Sequence, residues 1–151
     1  MKDKIFKTFA SFAPLVIRVL LGLVVFPHGA QKLLGWFGGY GFSGTMGFLT
    51  DTMGLPWMIA FLVIILESIG AIALLFGFAT RIIGICYLFL AIGMVFTAHI
   101  QHGFFMNWFG NQSGEGIEYF LLWIGMAISL IITGAGKYAI DNIFISKDVK
   151  S

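Results

Sequence analysis

The sequence predicts an all-α integral membrane protein: a transmembrane four-helix bundle with a short interfacial helix between its first and second spans and both termini cytoplasmic. Three observations lead there. Of the 151 residues, 59% are hydrophobic and 11% charged, and the mean hydropathy is +0.96, a balance that a soluble domain of this length does not sustain. The apolar residues gather into separate runs of spanning length, at about residues 14–34, 56–79, 82–100 and 117–133. The basic residues flank those runs and form no groove-sized patch, so the net charge of +2 describes a membrane topology and excludes a nucleic-acid partner.

The chain reads as a single domain over residues 1–151, because no Pro/Ser-rich linker divides it. Its one cysteine, Cys86, excludes an intrachain disulfide, a CxxC redox pair and a cysteine-based metal cluster, and reads as a small core residue.

Lys2, Lys4 and Lys7 precede the first apolar run as in a signal peptide, but the nearest small-residue site, His28-Gly29-Ala30, has a large residue at its first position, so the run is expected to be retained. Arg18 lies near its start, and Pro27 is expected to kink it near its far end. In the following Gly- and aromatic-rich stretch Phe42, Met46, Leu49 and Met53 recur at helical spacing, which predicts the short interfacial helix. The second run holds a single charge, Glu67, near its middle. Thr80-Arg81 then leaves only a short connection, so the second and third spans form an antiparallel hairpin. Gly84, Ala91 and Ala98 give the third span a small-residue seam. A polar loop from His102 to Gly116 leads to the fourth span, where Gly125, Ser129 and Thr133 share one face with Glu118. The tail from Lys137 is polar and is expected to begin as a short helix.

Lys2, Lys4, Lys7, Arg81, Lys137, Lys147 and Lys150 fall on one side of this topology against Lys32 on the other, which places both termini in the cytoplasm. Trp36, Phe37, Tyr40, Trp57, Trp108 and Phe109 then form an aromatic belt at the outer boundary.

Glu67 is the residue that needs a chemical reason. An ionised carboxylate at mid-membrane costs about 2.5 kcal/mol or more to insert, so it is expected to face protein or a water-filled cavity and to have a partner. On a helix it shares a face with Ala60, Val63, Gly70, Ala71 and Leu74, small enough for close packing. Counted at about 1.5 Å per residue along upright helices, Glu67 falls roughly 6 Å deeper than His28 and roughly 9 Å outward of Arg18. Arg18 therefore has two readings, snorkelling to the inner headgroups or pairing with Glu67. Glu67 and His28 are the catalytic candidates. Arg18, Gln31, His99, His102 and Glu118 are the ligand-binding candidates, because three helix ends bring these polar groups to the outer side. His99 and His102, three residues apart, would reach one ion on a continuous helix with Glu118 completing the set, but two histidines without a clear third ligand more often hydrogen-bond, and no metal is assigned. For Glu115, stabilisation of the positive end of the fourth span is the preferred reading.

His28-Gly29-Ala30-Gln31-Lys32-Leu33, Glu67, Arg81, His102-Gly103-Phe104-Phe105, Glu115-Gly116-Ile117-Glu118-Tyr119 and Gly134-Ala135-Gly136-Lys137-Tyr138-Ala139-Ile140-Asp141, in this order and at successive helix ends, together resemble the DoxX family. The resemblance implies a four-helix protein of the bacterial cytoplasmic (inner) membrane, with relatives that serve as membrane subunits in thiosulfate:quinone oxidation or in oxidoreductase complexes linked to oxidative stress. The disulfide chemistry of some fold relatives needs paired cysteines and is not carried over. A haem held by His28 and His99 is not demanded by any sequence feature.

The leading expectation is a membrane subunit of a quinone-linked oxidoreductase system, with an outward-facing polar pocket in which His28, Gln31, His99 and Glu118 bind a polar head and Glu67 manages protons. Its partners would be the lipid bilayer and a redox subunit. The alternatives are a small-solute or proton-coupled carrier, for which four helices are few unless the chain forms a homo-oligomer, and a non-catalytic scaffold or assembly subunit.

Overall fold

The computed structural model describes residues 6–144. Lys2, Lys4, Lys147 and Lys150, which enter the charge count above, lie outside the described residues. Within them the chain is helical and holds no strand. Helix α1 runs Phe12–Leu34, the short α2 Gly41–Gly47, α3 Trp57–Phe76, α4 Thr80–His102 and α5 Glu118–Thr133. The helices α1, α3 and α4, of 23, 20 and 23 residues, are long and apolar enough to cross a membrane. The fourth apolar run forms a shorter helix of 16 residues. Pro27 sits inside α1 and the helix continues through it, and the tail opens as the expected short helical turn, Ile140–Ile143.

The four long helices share one core. Leu21 and Val25 from α1, Ala71 and Leu74 from α3, Tyr87, Leu90 and Ala91 from α4, and Phe120, Trp123, Ala127 and Leu130 from α5 are buried together. Outward-facing residues on the same helices, such as Leu20, Leu23, Ile69, Ile72, Phe89 and Leu122, are exposed and apolar, as a lipid-facing girdle requires. The small-residue face of α5 is not its packing face: a Cβ on Gly125 would meet nothing within 4 Å. Aromatic and aliphatic side chains fill the gap between α4 and α5 instead, with Gly84 of α4 lying against the backbone of Ala127.

The α1–α3 contact is closest at Gly22, which lies against Leu75 and the Ala71 carbonyl, and at Gly29, where an added Cβ would overlap the backbone of Glu67 and Ser68. Ser68 Oγ stands 3.0 Å from the Gly29 carbonyl and 2.7 Å from that of Ile64, tying the two helices at this level. Glu67 is therefore level with Gly29, not a turn below His28. The upright-helix count missed this because close glycine packing, rather than residue number, sets the relative height of two helices.

At the end where the described residues begin and finish, three charged side chains cap helix ends. Arg18, 2% exposed, donates from Nε to the Ala135 carbonyl at 2.9 Å, from Nη1 to those of Leu74 and Leu75, and from Nη2 to those of Lys137 and Tyr138 at 3.2 and 3.1 Å. It thus closes the C-terminal end of α3, where Gly77 turns the chain with φ 68°. Arg81 donates to the Ile131 and Ile132 carbonyls at the C-terminus of α5 and to that of Lys7. Asp141 accepts from the backbone N–H groups of Ala79 and Thr80 at 2.6 and 3.0 Å, capping α4 from some 60 residues away in sequence. Burial holds the Asp141 carboxyl above its usual pKa, and the two backbone N–H groups offset this only in part. Each charge has the sign that its helix end favours.

Candidate functional site

Glu67 lies in a wide turn of α3, Leu66–Gly70, whose hydrogen bonds run from residue i to i+5. Such turns leave carbonyls partly free and concentrate at functional sites. Here Tyr87 OH donates to the Leu66 carbonyl at 3.1 Å. Glu67 itself is 2% exposed, and its partner is Lys32 of α1, with Nζ 2.5 Å from Oε2. Lys32 stands one turn beyond Gly29, and helical side chains lean toward the N-terminus of their helix, so the ammonium reaches back to the level at which Gly29 touches α3.

The pair stands in the wall of a cavity of about 370 Å³, lined also by His28, His99, Glu115, Tyr119, Phe120, Trp123 and Met94. His99 ends a second wide turn, Val95–His99. Its Nδ1 is 2.9 Å from the Glu115 carbonyl, which can only accept, so Nδ1 carries a proton, and the ring packs on Phe120 with centroids 4.4 Å apart. Trp123 is 3% exposed, and its Nε1 has no hydrogen-bond acceptor among the described residues. A buried indole N–H without an acceptor is costly. It belongs to a residue of the cavity wall.

The loop between α4 and α5 covers this cavity. It folds back on itself through backbone bonds from Gly116 to Phe105, Ile117 to Gly103 and Glu118 to Phe104. It is pinned by Asn107, which exchanges hydrogen bonds with Gln112 and donates its backbone N–H to Glu115 Oε2 at 2.6 Å. Met106 and Glu115 of this loop face the cavity.

Of the residues singled out from sequence, Glu67, His28 and His99 meet at this cavity. Arg18 does not. It lies eleven residues along α1 from Gly29, about 16 Å at helical rise, and is neither snorkelling nor paired with Glu67, because backbone carbonyls at the ends of α3 and of the tail occupy all its donors within the fold. Gln31 faces away and donates to the Phe37 carbonyl at 3.3 Å. His102 is bonded to Ser113 Oγ at 3.1 Å, and Glu118 accepts from Trp108 Nε1 at 3.1 Å. The wide turn at Val95–His99 and the tight turn after it send His99 and His102 to different partners, and among the described residues no three His, Cys, Asp or Glu side chains are grouped to hold a metal ion. Glu115, read from sequence as a helix-end charge, lines the cavity in place of Glu118.

Sequence reasoning placed Lys32 with the polar groups at the outer end of the first span but not as the partner of Glu67, and it passed over Trp123. A signal for Lys32 existed: a buried carboxylate calls for a cation, and Gly29 at i−3 marks the face of α1 that approaches another helix. For Trp123 there was none, since an indole on an apolar helix usually packs or faces lipid.

A DoxX family model matches residues 13–100. Over 137 residues the chain is 31% identical to the Bacillus subtilis (strain 168) protein named "Putative oxidoreductase CatD", covering 91% of this chain and 90% of that one. It is 33% identical over 138 residues to the "Inner membrane protein YqjF" of Escherichia coli (strain K12), covering 88% and 92% of the two chains. It is 25% identical over 134 residues to the "Inner membrane protein YphA" of the same organism, covering 85% and 87%. No solved structure matches the chain. The chain belongs to the DoxX family.

Proposed function

We propose that this protein is the membrane subunit of a quinone-linked oxidoreductase system, and that the cavity at Lys32–Glu67 receives the quinone head. It is a multi-pass protein of the bacterial inner membrane. We read it as one domain, a four-helix transmembrane bundle in which α2 lies at the interface, both termini face the cytoplasm, and the cavity opens toward the outer leaflet. Lys7, Arg81 and Lys137 gather at the terminal end while the exposed Trp36, Phe37, Tyr40, Trp57, Trp108 and Phe109 mark the other, which supports this orientation.

The observation that carries the reading is an ion pair in the wall of a cavity that is also lined by His28, His99 and Trp123, whose buried indole N–H has no acceptor among the described residues. A quinone head offers two carbonyl acceptors and takes up protons on reduction. Trp123 Nε1 and Lys32 Nζ are the donors suited to its oxygens. Glu67, His28 and His99 are the groups suited to hold or pass its protons, because carboxylate and imidazole both change protonation within the range of biological pH when their surroundings change. Membrane ionisable residues with a cavity at hand are functional by default. The name of the Bacillus relative agrees with an oxidoreductase assignment. Electrons would enter or leave through a partner redox subunit.

Quinol oxidation or quinone reduction by the purified protein, alone and with co-purifying subunits, tests the proposal. Glu67→Gln and His28→Ala are expected to lower the rate at least about 100-fold, the loss typical of removing a proton-transfer group. Rates equal to wild type in both variants would reject it.

A further inference from the structure

A second cavity, of about 550 Å³, meets the first at Lys32, Glu67, Met94 and His99. Its character is different. Apart from those shared groups its walls are almost wholly apolar, with Leu49, Met53, Leu62, Cys86, Phe89 and Gly93 among them. Leu62 and Phe89 lie within the spanning parts of α3 and α4 and are 44% and 69% exposed, so the cleft opens sideways between these helices, where the lipid chains are. Gly93 has no neighbour for its missing side chain: a Cβ there would meet nothing within 4 Å. A bundle that is closed at Gly22 and Gly29 by helix contact is thus left open at Gly93. The third wide turn, Phe48–Thr52, ends the cleft at the end away from the termini.

We infer that this cleft is a tail site. An amphiphile with a long isoprenoid chain enters laterally from the bilayer, lays the chain in the cleft, and is stopped with its polar ring at Lys32–Glu67. The inference rests on the proposed use of the polar cavity for a quinone head and names the class of quinone: long-tailed and membrane-resident, as opposed to a short soluble one. The geometry that carries it is the shared wall. One cavity is lined by charge, imidazole and the aromatic side chains of Tyr119, Phe120 and Trp123, the adjoining one by hydrocarbon, and the ion pair stands where they meet. Ligand sites commonly pair an apolar enclosure of this size with a few placed polar groups. Because lipid chains are as apolar as the cleft, the tail gains little by leaving the bilayer, and the cleft acts chiefly to orient the ring.

Binding is measured in nanodiscs by quenching of tryptophan fluorescence, with a tetraprenyl naphthoquinone and with its tail-less methyl parent. Gly93→Leu puts a side chain into the cleft at a position where a Cβ meets nothing within 4 Å, and Gly125→Leu, at the equally open glycine outside both cavities, serves as the control. The expected result is that Gly93→Leu weakens the tailed quinone about tenfold, the effect of forcing extra methylenes into an occupied site, while leaving the tail-less ring unchanged, and that Gly125→Leu changes neither. Comparing variants in one membrane cancels the tail's own partitioning. A second readout is the rate at which a maleimide labels Cys86, the single cysteine of the chain, which the tailed quinone should slow and the tail-less ring should not. Unchanged affinity for the tailed quinone in Gly93→Leu, an equal loss in Gly125→Leu, or labelling of Cys86 that the tailed quinone leaves unaltered would overturn the tail site. The last result would show a cleft kept full by bilayer phospholipid. The two readings fail separately: tailed-quinone binding that is lost in Glu67→Gln but indifferent to Gly93→Leu removes only the tail site, whereas tail-dependent binding that Glu67→Gln does not touch removes only the head site.

Discussion

Arg18 and Lys32 stand on the same helix, one near each end, and what they bind separates the two ends of the molecule. At the terminal end Arg18 is surrounded by backbone carbonyls, Arg81 holds the last turn of α5, and Asp141 takes two backbone N–H groups. Those charges close helix ends, and their donors and acceptors are used within the fold. At the other end Lys32 and Glu67 are held by each other. Trp123 Nε1 has no acceptor among the described residues, and two cavities adjoin the pair. A charge consumed by the backbone holds a structure together. A charge matched only by another side chain, next to empty space, remains available for a ligand. Burial does not distinguish them, since Arg18 and Glu67 are both 2% exposed.

Substitutions should divide along the same line. The largest effect is expected for Arg18→Met, which leaves five carbonyls of two chain segments, the end of α3 and residues 135–138, without donors and should cost at least about 4 kcal/mol. Denaturation in mixed detergent micelles should show little folded protein, and near-normal stability would remove Arg18 from its structural role. Next comes the ion pair. Glu67→Gln should cost about 3 kcal/mol by leaving Lys32 unpaired at membrane depth, whereas Lys32→Met combined with Glu67→Met should recover most of that stability, since apolar pairs replace buried ion pairs at little cost. The double variant is expected to fold and still fail to bind quinone, and restored binding would reassign the pair to structure. The smallest effect is expected for Asp141→Asn, which keeps one acceptor but turns its amide NH2 toward the second backbone N–H and loses the anion at the start of α4, at about 2 kcal/mol. Quinone affinity should stay at the wild-type value in that variant; a loss of affinity matching that of Glu67→Gln would show that the two ends are coupled.

The outline of the molecule was largely visible in the residues. Spanning runs at 14–34, 56–79 and 82–100 became helices within a few residues of those limits, because a continuous apolar stretch in a membrane has few ways to satisfy its backbone other than a helix. On the face of Glu67, Ala60, Gly70, Ala71 and Leu74 are buried as expected and Val63 is partly buried. The partner of Glu67 was not visible, and Arg18, which the sequence left between snorkelling and pairing with Glu67, shows why. Depth counted from helix ends carries the uncertainty of both ends, and here Gly29 brings α1 and α3 together at a height that the count displaced by a turn. Glu115 and Glu118 make the same point on a smaller scale. Both open the same helix in sequence, but the loop that folds back through Gly103–Phe105 turns one into the cavity and binds the other to Trp108.

By itself, then, the sequence determined that this is a helical membrane protein of the DoxX family with one carboxylate too deep to be left unpaired, because hydrophobicity, periodicity and the cost of a buried charge are properties of residues and their near neighbours. Only the tertiary structure decided which cation meets that carboxylate, which of the histidines and glutamates share its cavity, and that an apolar cleft opens beside it. Those depend on helix register, set by where a glycine lets two backbones touch and where a wide turn shifts the phase of a helix, and such contacts join residues far apart in the chain.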